Sequence, residues 1–498
     1  MKHYLDYLEQ NATIQSLVRS HAIKTPNKLA LIDGNLKITY QELDSMSDII
    51  ALNILKDNEI SNDTIIGIYY NKSYKYILAA LSILKMGAKI LHLDEDYPSH
   101  TLEYIIKKTA PLTIFTCSEL IYKLPKDCPY NTLDEKLNNL KGCTKKVKIF
   151  ANHKETAIIG YTSGTTGRPK GVEVSHKACI FSFNKFWEET DHIKNKNNFG
   201  YVTYLAWDAF SPLVNGSTGI IIPTAANTDM ELLSSKLIFH EIDNAFFTPS
   251  LLNKLLHSLP MNQLKNTFEK INVIWVGGEI IKKSTIQNLH QVKSSIHLIN
   301  NYGPTECFVV SQGLLDYHLV KNDKIVNAGL ILPELDYKLF DDQNNDFTSK
   351  GMGYLFITGP ALANQYFANE ELTAKKFVKI ENVTYYETGD YCLVDENRRI
   401  TILGRNSFIL KDQNGNSTPA SLIENAILDN INIDNCVVIT KNENQVLVYI
   451  LSAQKYSKND VSKIIKQFSD NFKIIDIDEI PIKPASQKIN YEELFKLV

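Results

Sequence analysis

A short run of small, hydroxylated and flexible residues leads into a single lysine. It spans residues 161–171 and follows an apolar, strand-like segment at 157–159. Glycines let backbone N–H groups curl around an anion, hydroxyls add donors, and the lysine supplies a point charge. At about 4 Å and an effective dielectric constant of about 20, one lysine–phosphate attraction is worth roughly 4 kcal/mol. The run predicts a phosphate-binding loop with the ligands Thr162, Ser163, Gly164, Thr165, Thr166 and Lys170.

The order of residues in this loop argues against the Walker type of phosphate site. A Walker loop has serine or threonine directly after its lysine and opens a helix. Here Gly171 follows Lys170, and no helix is predicted to start at once. A kinase-like or GTPase-like function is therefore not expected.

The run at 161–171 is similar, nearly residue for residue, to the signature loop of the adenylate-forming superfamily. Members of that family activate carboxylic acids as acyl-AMP, and they include nonribosomal-peptide adenylation domains, acyl-CoA synthetases and luciferases. The other segments that resemble core motifs of the family, in the family's order, are 38–43, 84–98, 300–306, 351–360, 386–390, 404–405 and 481–490. These segments cover nearly the whole chain, and the sequence most resembles a stand-alone nonribosomal peptide synthetase adenylation domain.

The resemblance implies that ATP is bound by residues far apart in the chain. Tyr302 is expected to stack on adenine, and Asn301 beside it is also expected to bind the nucleotide. Asp390 is expected to accept hydrogen bonds from both ribose hydroxyls, which a carboxylate can do with its two oxygens. Arg405 is expected to contact the ribose or a phosphate.

Three residues are expected to serve the chemical step. By resemblance, Thr305 bonds a phosphate, and Glu306 is the metal ligand that holds Mg²⁺ on the triphosphate oxygens. Lys488 matches the lysine of the last family motif, which bridges the substrate carboxylate and the α-phosphate. The segment is one residue longer than usual and Gln487 replaces a glycine, so Lys483 remains an alternative.

The implied reaction needs no general base. An ionised carboxylate attacks the α-phosphorus of ATP and pyrophosphate leaves, so the protein mainly positions the reactants and neutralises charge. A thiol then attacks the acyl-adenylate, with AMP as the leaving group, after the small C-terminal domain rotates.

The region expected to bind the acid departs from the family pattern. Amino-acid-activating members carry a Phe-Asp pair whose aspartate binds the substrate ammonium, but a gapless alignment places Val202 and Thr203 there. Threonine cannot form an ion pair, and a buried ammonium without its partner costs on the order of 3–5 kcal/mol. An alternative alignment with a short deletion makes Asp208 the ammonium ligand.

The gapless alignment also predicts an apolar, aromatic acid pocket beside the Asn301 amide. The residues expected to line it are Thr203, Tyr204, Trp207, Phe246, Ile274, Val276, Val309 and Val310. Such a lining favours an aryl or otherwise apolar acid, or an unusual amino acid whose amine is held differently.

The elements that must position these residues follow a βαβ pattern. Short β-branched runs alternate with helical periodicity between about 64 and 115, and again around 199–300. From about 336 to 403 the runs become short and hairpin-like. We therefore predict an α/β fold. A large N-terminal domain of layered α/β subdomains plus a β-rich section (1–405) precedes a small mobile α+β C-terminal domain (406–498) that carries the catalytic lysine.

Composition and net charge restrict the kinds of molecule that the protein is expected to bind. The chain has 498 residues and a net charge of −3, which supplies no broad attraction for nucleic acid or anionic membrane. The N-terminus lacks an apolar signal core, and no run approaches about 18 uncharged apolar residues. These features predict a cytoplasmic protein. Seven scattered cysteines without C-x-x-C spacing argue against a disulfide framework and a structural zinc site.

The leading function is activation of a carboxylic acid as acyl-AMP and its transfer to the phosphopantetheine thiol of a separate carrier protein. An acyl-CoA or aryl-CoA synthetase is the first alternative, because only the thiol differs. A non-catalytic protein that binds nucleotide and a partner is the second. It is suggested by the hinge region, where Ser407 replaces the usual aspartate and 412–419 departs from the family string.

Overall fold

The fold is known from a computed structural model. It describes residues 11–133, 145–149, 152–162, 169–190, 193, 197–203, 208–321, 323, 325–341, 346–405, 409–411, 417–441, 445–482 and 489–498. In these residues the α-helices are Ile14–Lys24, Tyr40–Leu55, Tyr74–Met86, Ser99–Thr109, His176–Glu188, Ser211–Val214, Met230–Phe239, Pro249–Ser258, Met261–Thr267, Lys283–Val292, Tyr317–Val320, Glu370–Lys376, Ala420–Asn430, Lys458–Ile465 and Tyr491–Lys496.

The largest sheet is parallel in its centre and antiparallel at its edges. Its strands in spatial order are Leu330–Ile331, Ser311–Leu314, His297–Tyr302, Val273–Gly277, Asn244–Phe247, Asn198–Tyr201, Thr218–Ile221, Leu29–Asp33 and Leu36–Thr39. Pairing is parallel from His297–Tyr302 through to Leu29–Asp33. Ligand sites in open parallel sheets lie beyond the carboxyl ends of the strands. Here Gly277 and Asn301 pair at that edge.

A second sheet holds the two strands that flank the predicted phosphate loop. Its strands in spatial order are Gln365–Tyr366, Lys170–Ser175, Thr156–Thr162, Lys89–His92, Ile65–Tyr69, Thr113–Thr116 and Tyr130–Thr132. The flanking strands are antiparallel, with Thr162 opposite Lys170. The predicted ligands between them, Ser163, Gly164, Thr165 and Thr166, lie outside the described residues.

A third, antiparallel sheet follows in the chain. Its strands in spatial order are Asp346–Thr348, Asp336–Asp341, Gly351–Thr358, Val383–Val394 and Phe377–Ile380, with Ile400–Arg405 also paired to Val383–Val394. That last pairing sets Asp390 opposite Arg405. Two polar residues that the sequence separates are therefore neighbours on adjacent strands.

From residue 409 onward the chain forms sheets of its own and two hydrophobic clusters of its own, although Ile409 packs with Tyr391 and Leu403 of the preceding part. The strands of this part are Ile409–Lys411 with Ser417–Pro419, and Asn435–Lys441, Gln445–Leu451 and Phe472–Ile477. Buried side chains such as Ile423, Val438 and Ile465 pack together in one cluster. The predicted boundary at 405/406 stays a prediction.

The helix Tyr74–Met86 illustrates how the sequence determines a local element. All its residues from 76 to 86 are buried, as expected for a helix that is apolar on nearly every face. It ends at Gly87, where φ is 81°, a left-handed conformation that glycine adopts at little cost. The Gly87 N–H donates to the carbonyls of Ile83 and Leu84, which closes the last turn.

The predicted α/β class is confirmed. The expected strands near 64–69, 88–93 and 112–115 begin and end within a residue or so of the observed ones. The hairpin-like section at 336–403 is the antiparallel sheet. In the part of the chain that the structure describes, no helix is long and apolar enough to cross a bilayer.

Candidate active site

A large cavity of about 2380 Å³ is lined by residues of all three large sheets and of the C-terminal part. The predicted site residues that line it are Thr162, Lys170, Thr203, Phe246, Asn301, Tyr302, Thr305, Glu306, Val309, Asp390 and Arg405. The fold therefore brings together motifs that are widely separated in the sequence.

The first polar cluster of the cavity centres on Asp390, which is 3% exposed. Its Oδ2 accepts a hydrogen bond from the Tyr302 hydroxyl at 2.5 Å, and its Oδ1 lies 2.9 Å from Arg405 Nε. Burial raises the pKa of Asp390, against the opposing charge of Arg405. Burial also raises the pKa of Tyr302 well above its ordinary value, so its hydroxyl stays a donor near neutral pH. Carboxylate oxygens have about four lone-pair sites, so Asp390 can accept further hydroxyls.

The second cluster centres on the Glu306 carboxylate. Its Oε1 accepts from the Tyr366 hydroxyl at 2.6 Å, and that hydroxyl lies 3.3 Å from the Tyr386 hydroxyl. Glu306 is also fixed through its backbone, because its carbonyl accepts from the Ala363 N–H at 2.7 Å. The carboxylate is therefore oriented before any ligand arrives.

Glu306 fits a magnesium ligand by its chemistry. Mg²⁺ keeps several waters and takes only one or two protein carboxylates when phosphates supply other oxygens. Within the described ranges, no group of three or more histidine, cysteine, aspartate or glutamate side chains is arranged to hold a metal. An ion at this position would thus depend on Glu306 together with bound phosphate.

Positive charge faces the same region. Lys170 stands opposite Thr162, and its Nζ lies 5.9 Å from the centre of the Tyr366 ring. Burial lowers the pKa of Lys170, while the charge of Glu306 opposes that shift. Lys376 also lines the cavity, and it donates to Glu387 at 2.8 Å. With Arg405, these cations form a wall suited to a polyanion.

A further part of the lining is aromatic. Phe186, on the helix His176–Glu188, and Phe246 both face the cavity, with ring centres 6.1 Å apart. Thr203 lies beside them, and its hydroxyl donates to the Phe246 carbonyl at 3.4 Å. The threonine hydroxyl therefore already has a backbone partner.

Asp208 lines this part of the cavity as well. Burial raises the pKa of its carboxyl group to about 7. Among the residues that the structure describes, no hydrogen bond or ion pair to that carboxyl group is found. Such a group favours a ligand that brings a positive charge or a hydrogen-bond partner.

Asn301 presents a second unsatisfied polar group. Both its side-chain oxygen and its side-chain nitrogen are buried without a hydrogen-bond partner in the described residues. An unsatisfied buried amide costs about 1–3 kcal/mol, which a ligand with matching groups would recover. Position 277, which pairs with Asn301 on the adjacent strand, must be glycine. A Cβ on Gly277 would lie 2.5 Å from the Asn301 carbonyl oxygen.

Three predicted pocket residues do not reach the cavity wall. Ile274 and Val276 are fully buried in a core that includes Phe247. Successive strand residues point to opposite faces, so these two face away from Trp275, which packs in the other core. Val310 is likewise buried in the main core, where it supports the turn after Tyr302. Tyr204, Trp207, Lys483 and Lys488 lie outside the described residues.

Sequence reasoning missed Tyr366, Phe186 and Lys376. Tyr366 reaches Glu306 only because the strand Gln365–Tyr366 pairs with the strand after the phosphate loop, and no sequence spacing shows that pairing. Phe183 and Phe186, three residues apart on one helix, both line the cavity. Their helical spacing is a signal that could have been used.

A family model described as AMP-binding enzyme matches residues 18–367. Gramicidin S synthase 2 from Brevibacillus brevis is 26% identical over 491 residues, which are 95% of this chain and 11% of that protein. Zwittermicin A synthase ZmaJ from Bacillus cereus is 25% identical over 493 residues, 95% of this chain and 93% of that protein. The chain thus spans a small part of the first relative and nearly all of the second.

A solved structure shares the fold over nearly the whole chain. Klebsiella oxytoca NpsA in complex with 3-hydroxyanthranilyl-AMSN superposes with a TM-score of 0.82 at 17% identity, covering 97% of this chain and 99% of that one. The resemblance inferred from the sequence motifs is confirmed, since the family model covers well over half of the chain. The chain belongs to the AMP-binding enzyme family of adenylate-forming ligases.

Proposed function

We propose that the protein activates a small carboxylic acid with ATP, releases pyrophosphate, and transfers the acyl group to the phosphopantetheine thiol of a separate carrier protein. The observation that carries this proposal is the shared cavity. The cluster around Asp390 and the carboxylate of Glu306 line the same space as Phe246 and Asn301. A nucleotide and an acid bound there would meet within one enclosure, which favours reaction by proximity.

In the proposed complex, Asp390 accepts the ribose hydroxyls and Arg405 keeps that carboxylate charged. The Tyr302 hydroxyl donates a hydrogen bond to Asp390. The Tyr302 ring is therefore held in place and would form a surface on which adenine stacks. Lys170, Thr162 and the loop between them would face the phosphates. The antiparallel pairing of the two flanking strands supports this arrangement.

Glu306 would hold Mg²⁺, with Tyr366 keeping its carboxylate in place. When bound, the ion would supply positive charge to the triphosphate oxygens. Thr305, the residue before Glu306, lines the cavity and offers a hydroxyl donor to a phosphate.

The chemical step forms a bond between a carboxylate oxygen and the α-phosphorus. The bond from the α-phosphorus to the bridging oxygen breaks, and pyrophosphate takes that electron pair. No proton transfer is required, because the acid is already ionised. We assign the charge neutralisation between the two reactants to Lys488, with Lys483 as the rival.

We infer an acid with an aryl or otherwise apolar body. The aromatic lining at Phe186 and Phe246 supports this choice, and so does the 3-hydroxyanthranilyl group in the NpsA complex. Asp208 faces the cavity without a partner among the described residues, whereas the Thr203 hydroxyl is bonded to the backbone. This contrast supports Asp208 as the group that would face a substrate amine.

Carboxylate-dependent ATP–pyrophosphate exchange over amino, aryl and fatty acids tests the first half-reaction. We expect exchange with a subset of aryl or apolar acids. If a folded protein that binds ATP shows no exchange with any acid, the non-catalytic alternative replaces this proposal.

The thiol acceptor is tested separately. The acyl-adenylate complex is offered either CoA or a holo carrier protein, and the acylated thiol is measured by mass spectrometry. We expect the carrier to be acylated. Acylation of CoA alone would identify an acyl-CoA or aryl-CoA synthetase.

A further inference from the structure

Two buried amide side chains lie next to each other on the largest sheet. Asn301, in the strand His297–Tyr302, is directly opposite Gln312, in the antiparallel strand Ser311–Leu314. These residues are 7% and 4% exposed, and neither amide has a hydrogen-bond partner for its oxygen or its nitrogen in the described part of the chain. Opposite residues of an antiparallel pair share a face, with Cβ atoms about 4.5–5.5 Å apart. We call these two side chains the amide pair.

The amide pair meets the cavity through Asn301. Asn301 lines the cavity, and Gln312 lies beside it on the next strand toward the edge of the sheet. Buried polar side chains in folded proteins almost always have a hydrogen-bond partner, because an unsatisfied one destabilises the fold. A ligand that enters the cavity reaches Asn301 and can supply the partner that the described residues do not.

Strand geometry separates Asn301 from the nucleotide side of the cavity. Successive strand residues point to opposite faces of a sheet, so Asn301 and Tyr302 face different ways. Tyr302 points toward Asp390, to which its hydroxyl donates a hydrogen bond. Asn301 shares its face with Gly277, its partner on the adjacent strand, and with Trp275, two residues earlier on that strand.

The face that carries Asn301 also carries an aromatic surface. Phe246 and Trp275 are partners on neighbouring strands. The ring centre of Phe186 lies 6.1 Å from that of Phe246 and 5.8 Å from that of Trp275. Gly277, which pairs with Asn301, places no side chain between these rings and the amide. A ligand that matches this face has an aryl body with a polar substituent at its edge.

The chemistry of an amide determines which substituent fits. Each amide of the pair offers NH₂ donors and a carbonyl acceptor. A hydroxyl group can accept from the first and donate to the second, whereas a methyl group leaves both unsatisfied. A charged substituent would lose its hydration without meeting an opposite charge on the amide pair. A neutral hydroxyl is therefore the simplest group that satisfies Asn301.

We propose that the substrate is an aryl acid with a hydroxyl substituent on its ring, and that Asn301, supported by Gln312, selects for this hydroxyl. The inference rests on the proposed function and narrows the class of acid within it. Asn301 is then a specificity-determining residue for the acid, and its amide does not contact the nucleotide.

Pyrophosphate exchange with matched aryl acids tests this selection in the full chain. The probes are benzoates and phenylacetates that carry a hydroxyl, a methoxy or a methyl group at each ring position. At one ring position or more, kcat/KM for the hydroxyl acid should exceed that for the methyl acid by about 10–100-fold, because the methyl group leaves the amide unsatisfied. The methoxy acid should fall between them, since its oxygen accepts a hydrogen bond but donates none.

Three variants show whether the amide pair causes the selection. Asn301→Leu replaces the amide by an apolar group of similar size, so the ratio of kcat/KM between hydroxyl and methyl acids should fall to about one. The KM for ATP should stay within about twofold, because the residues on the nucleotide side are unchanged. Gln312→Leu removes the polar neighbour of Asn301 and should lower the ratio by about fivefold. Asn288→Leu, at an exposed hydrogen bond to His257, is the control and should leave the ratio within about twofold.

The outcomes separate this inference from the proposed function. Methyl acids that match or exceed hydroxyl acids at every ring position would overturn the inference, as would exchange with other acids but with none of these aryl probes. An unchanged ratio in folded Asn301→Leu, or a KM for ATP that rises more than the ratio falls, would also overturn it. Thermal unfolding checks each variant, and Gln312→Leu decides the comparison if Asn301→Leu does not fold. Absence of exchange with every acid would instead refute the proposed function.

Discussion

The two sides of the cavity differ in whether their buried polar side chains have partners within the described protein. On the nucleotide side, which we define as Tyr302, Glu306, Tyr366, Asp390 and Arg405, both carboxylates have protein partners at 2.5–2.9 Å. On the acid side, which we define as Thr203, Asp208, Phe246 and Asn301, the Asp208 carboxyl and the Asn301 amide have none among the described residues.

This difference separates side chains that are held in place before a ligand binds from side chains whose hydrogen-bond partners the ligand must supply. Partnered side chains need little reorganisation when a ligand binds, so the nucleotide side is suited to the same cosubstrate in every turnover. Unpartnered buried groups disfavour any ligand that leaves them unsatisfied, and they therefore discriminate strongly between similar acids. The acid side is where selectivity should reside.

The largest effect should come from Lys488, to which we assign charge neutralisation between the two reactants. Lys488→Ala is expected to slow adenylate formation by about 10²–10³-fold, because a positioned charge is lost from the transition state. Thiol transfer from supplied acyl-adenylate should survive. Pyrophosphate exchange and single-turnover transfer measure the two steps. Lys483→Ala is the matched control, and an exchange defect in Lys483→Ala alone would reassign the role to that residue.

The next largest effect tests the nucleotide side. Asp390→Asn removes the charge that faces Arg405 and leaves one acceptor oxygen for the ribose. Hydrogen bonds to charged groups are worth about 1.5–3 kcal/mol, so the KM for ATP should rise about 10–100-fold while the KM for the acid changes little. Asp395→Asn, in a half-exposed turn, is the control. A comparable rise in both KM values would mean that the two sides are not independent.

A selectivity change tests the acid side. The pKa of Asp208 is raised to about 7, so the group is neutral below that pH and charged above it. For an acid that carries an alkyl ammonium, kcat/KM relative to an acid without an amine should rise as the pH increases through about 7. Asp208→Asn should remove this dependence and lower the ratio at high pH by about tenfold.

Replacing Thr203 distinguishes the gapless alignment, which places Thr203 at the substrate amine, from the alternative alignment, which places Asp208 there. Thr203→Asp should improve ammonium-bearing acids if Thr203 faces the amine. If it changes nothing while Asp208→Asn abolishes the pH dependence, the amine position belongs to Asp208. A pH-independent substrate ratio in the wild-type protein would contradict that assignment.

The smallest effect concerns support for Glu306. Tyr366→Phe deletes one hydrogen bond to the carboxylate and should lower exchange about fivefold, given a typical value of about 1 kcal/mol. The Mg²⁺ concentration for half-maximal rate should rise with it. Tyr385→Phe, whose hydroxyl bonds Asp336 instead, provides the control. Unchanged Mg²⁺ dependence in Tyr366→Phe would remove Tyr366 from the support of this site.

That most residues of the nucleotide side would lie around one cavity was predictable, because they sit in compact motifs. Tyr302, Thr305 and Glu306 occupy one turn, and Asp390 and Arg405 follow their own short motifs. The partner of Glu306 was not predictable, since Tyr366 arrives through a strand pairing that joins distant segments. Local chemistry can be read from a motif, but contacts across a sheet depend on the whole topology.

The acid side shows the other limit of sequence reasoning. The sequence around the acid side matches the family motifs poorly, so the alignment there is weakly constrained. The gapless alignment predicted Ile274 and Val276 as pocket residues, but both side chains pack in the core on the other face of the strand. It also left open whether Thr203 or Asp208 faces the amine. The structure adds that the Thr203 hydroxyl already has a backbone partner, which no alignment can show.

The close contact between two neighbouring strands has a practical consequence for redesign. A side chain at Gly277 would collide with the Asn301 carbonyl at 2.5 Å, and it would also press on the Phe246 ring at 3.2 Å. Variants that aim to shrink the space for smaller acids should therefore leave position 277 untouched. Replacing Phe246 by a smaller residue should make room for bulkier acids at less structural cost, because it requires no movement of the backbone.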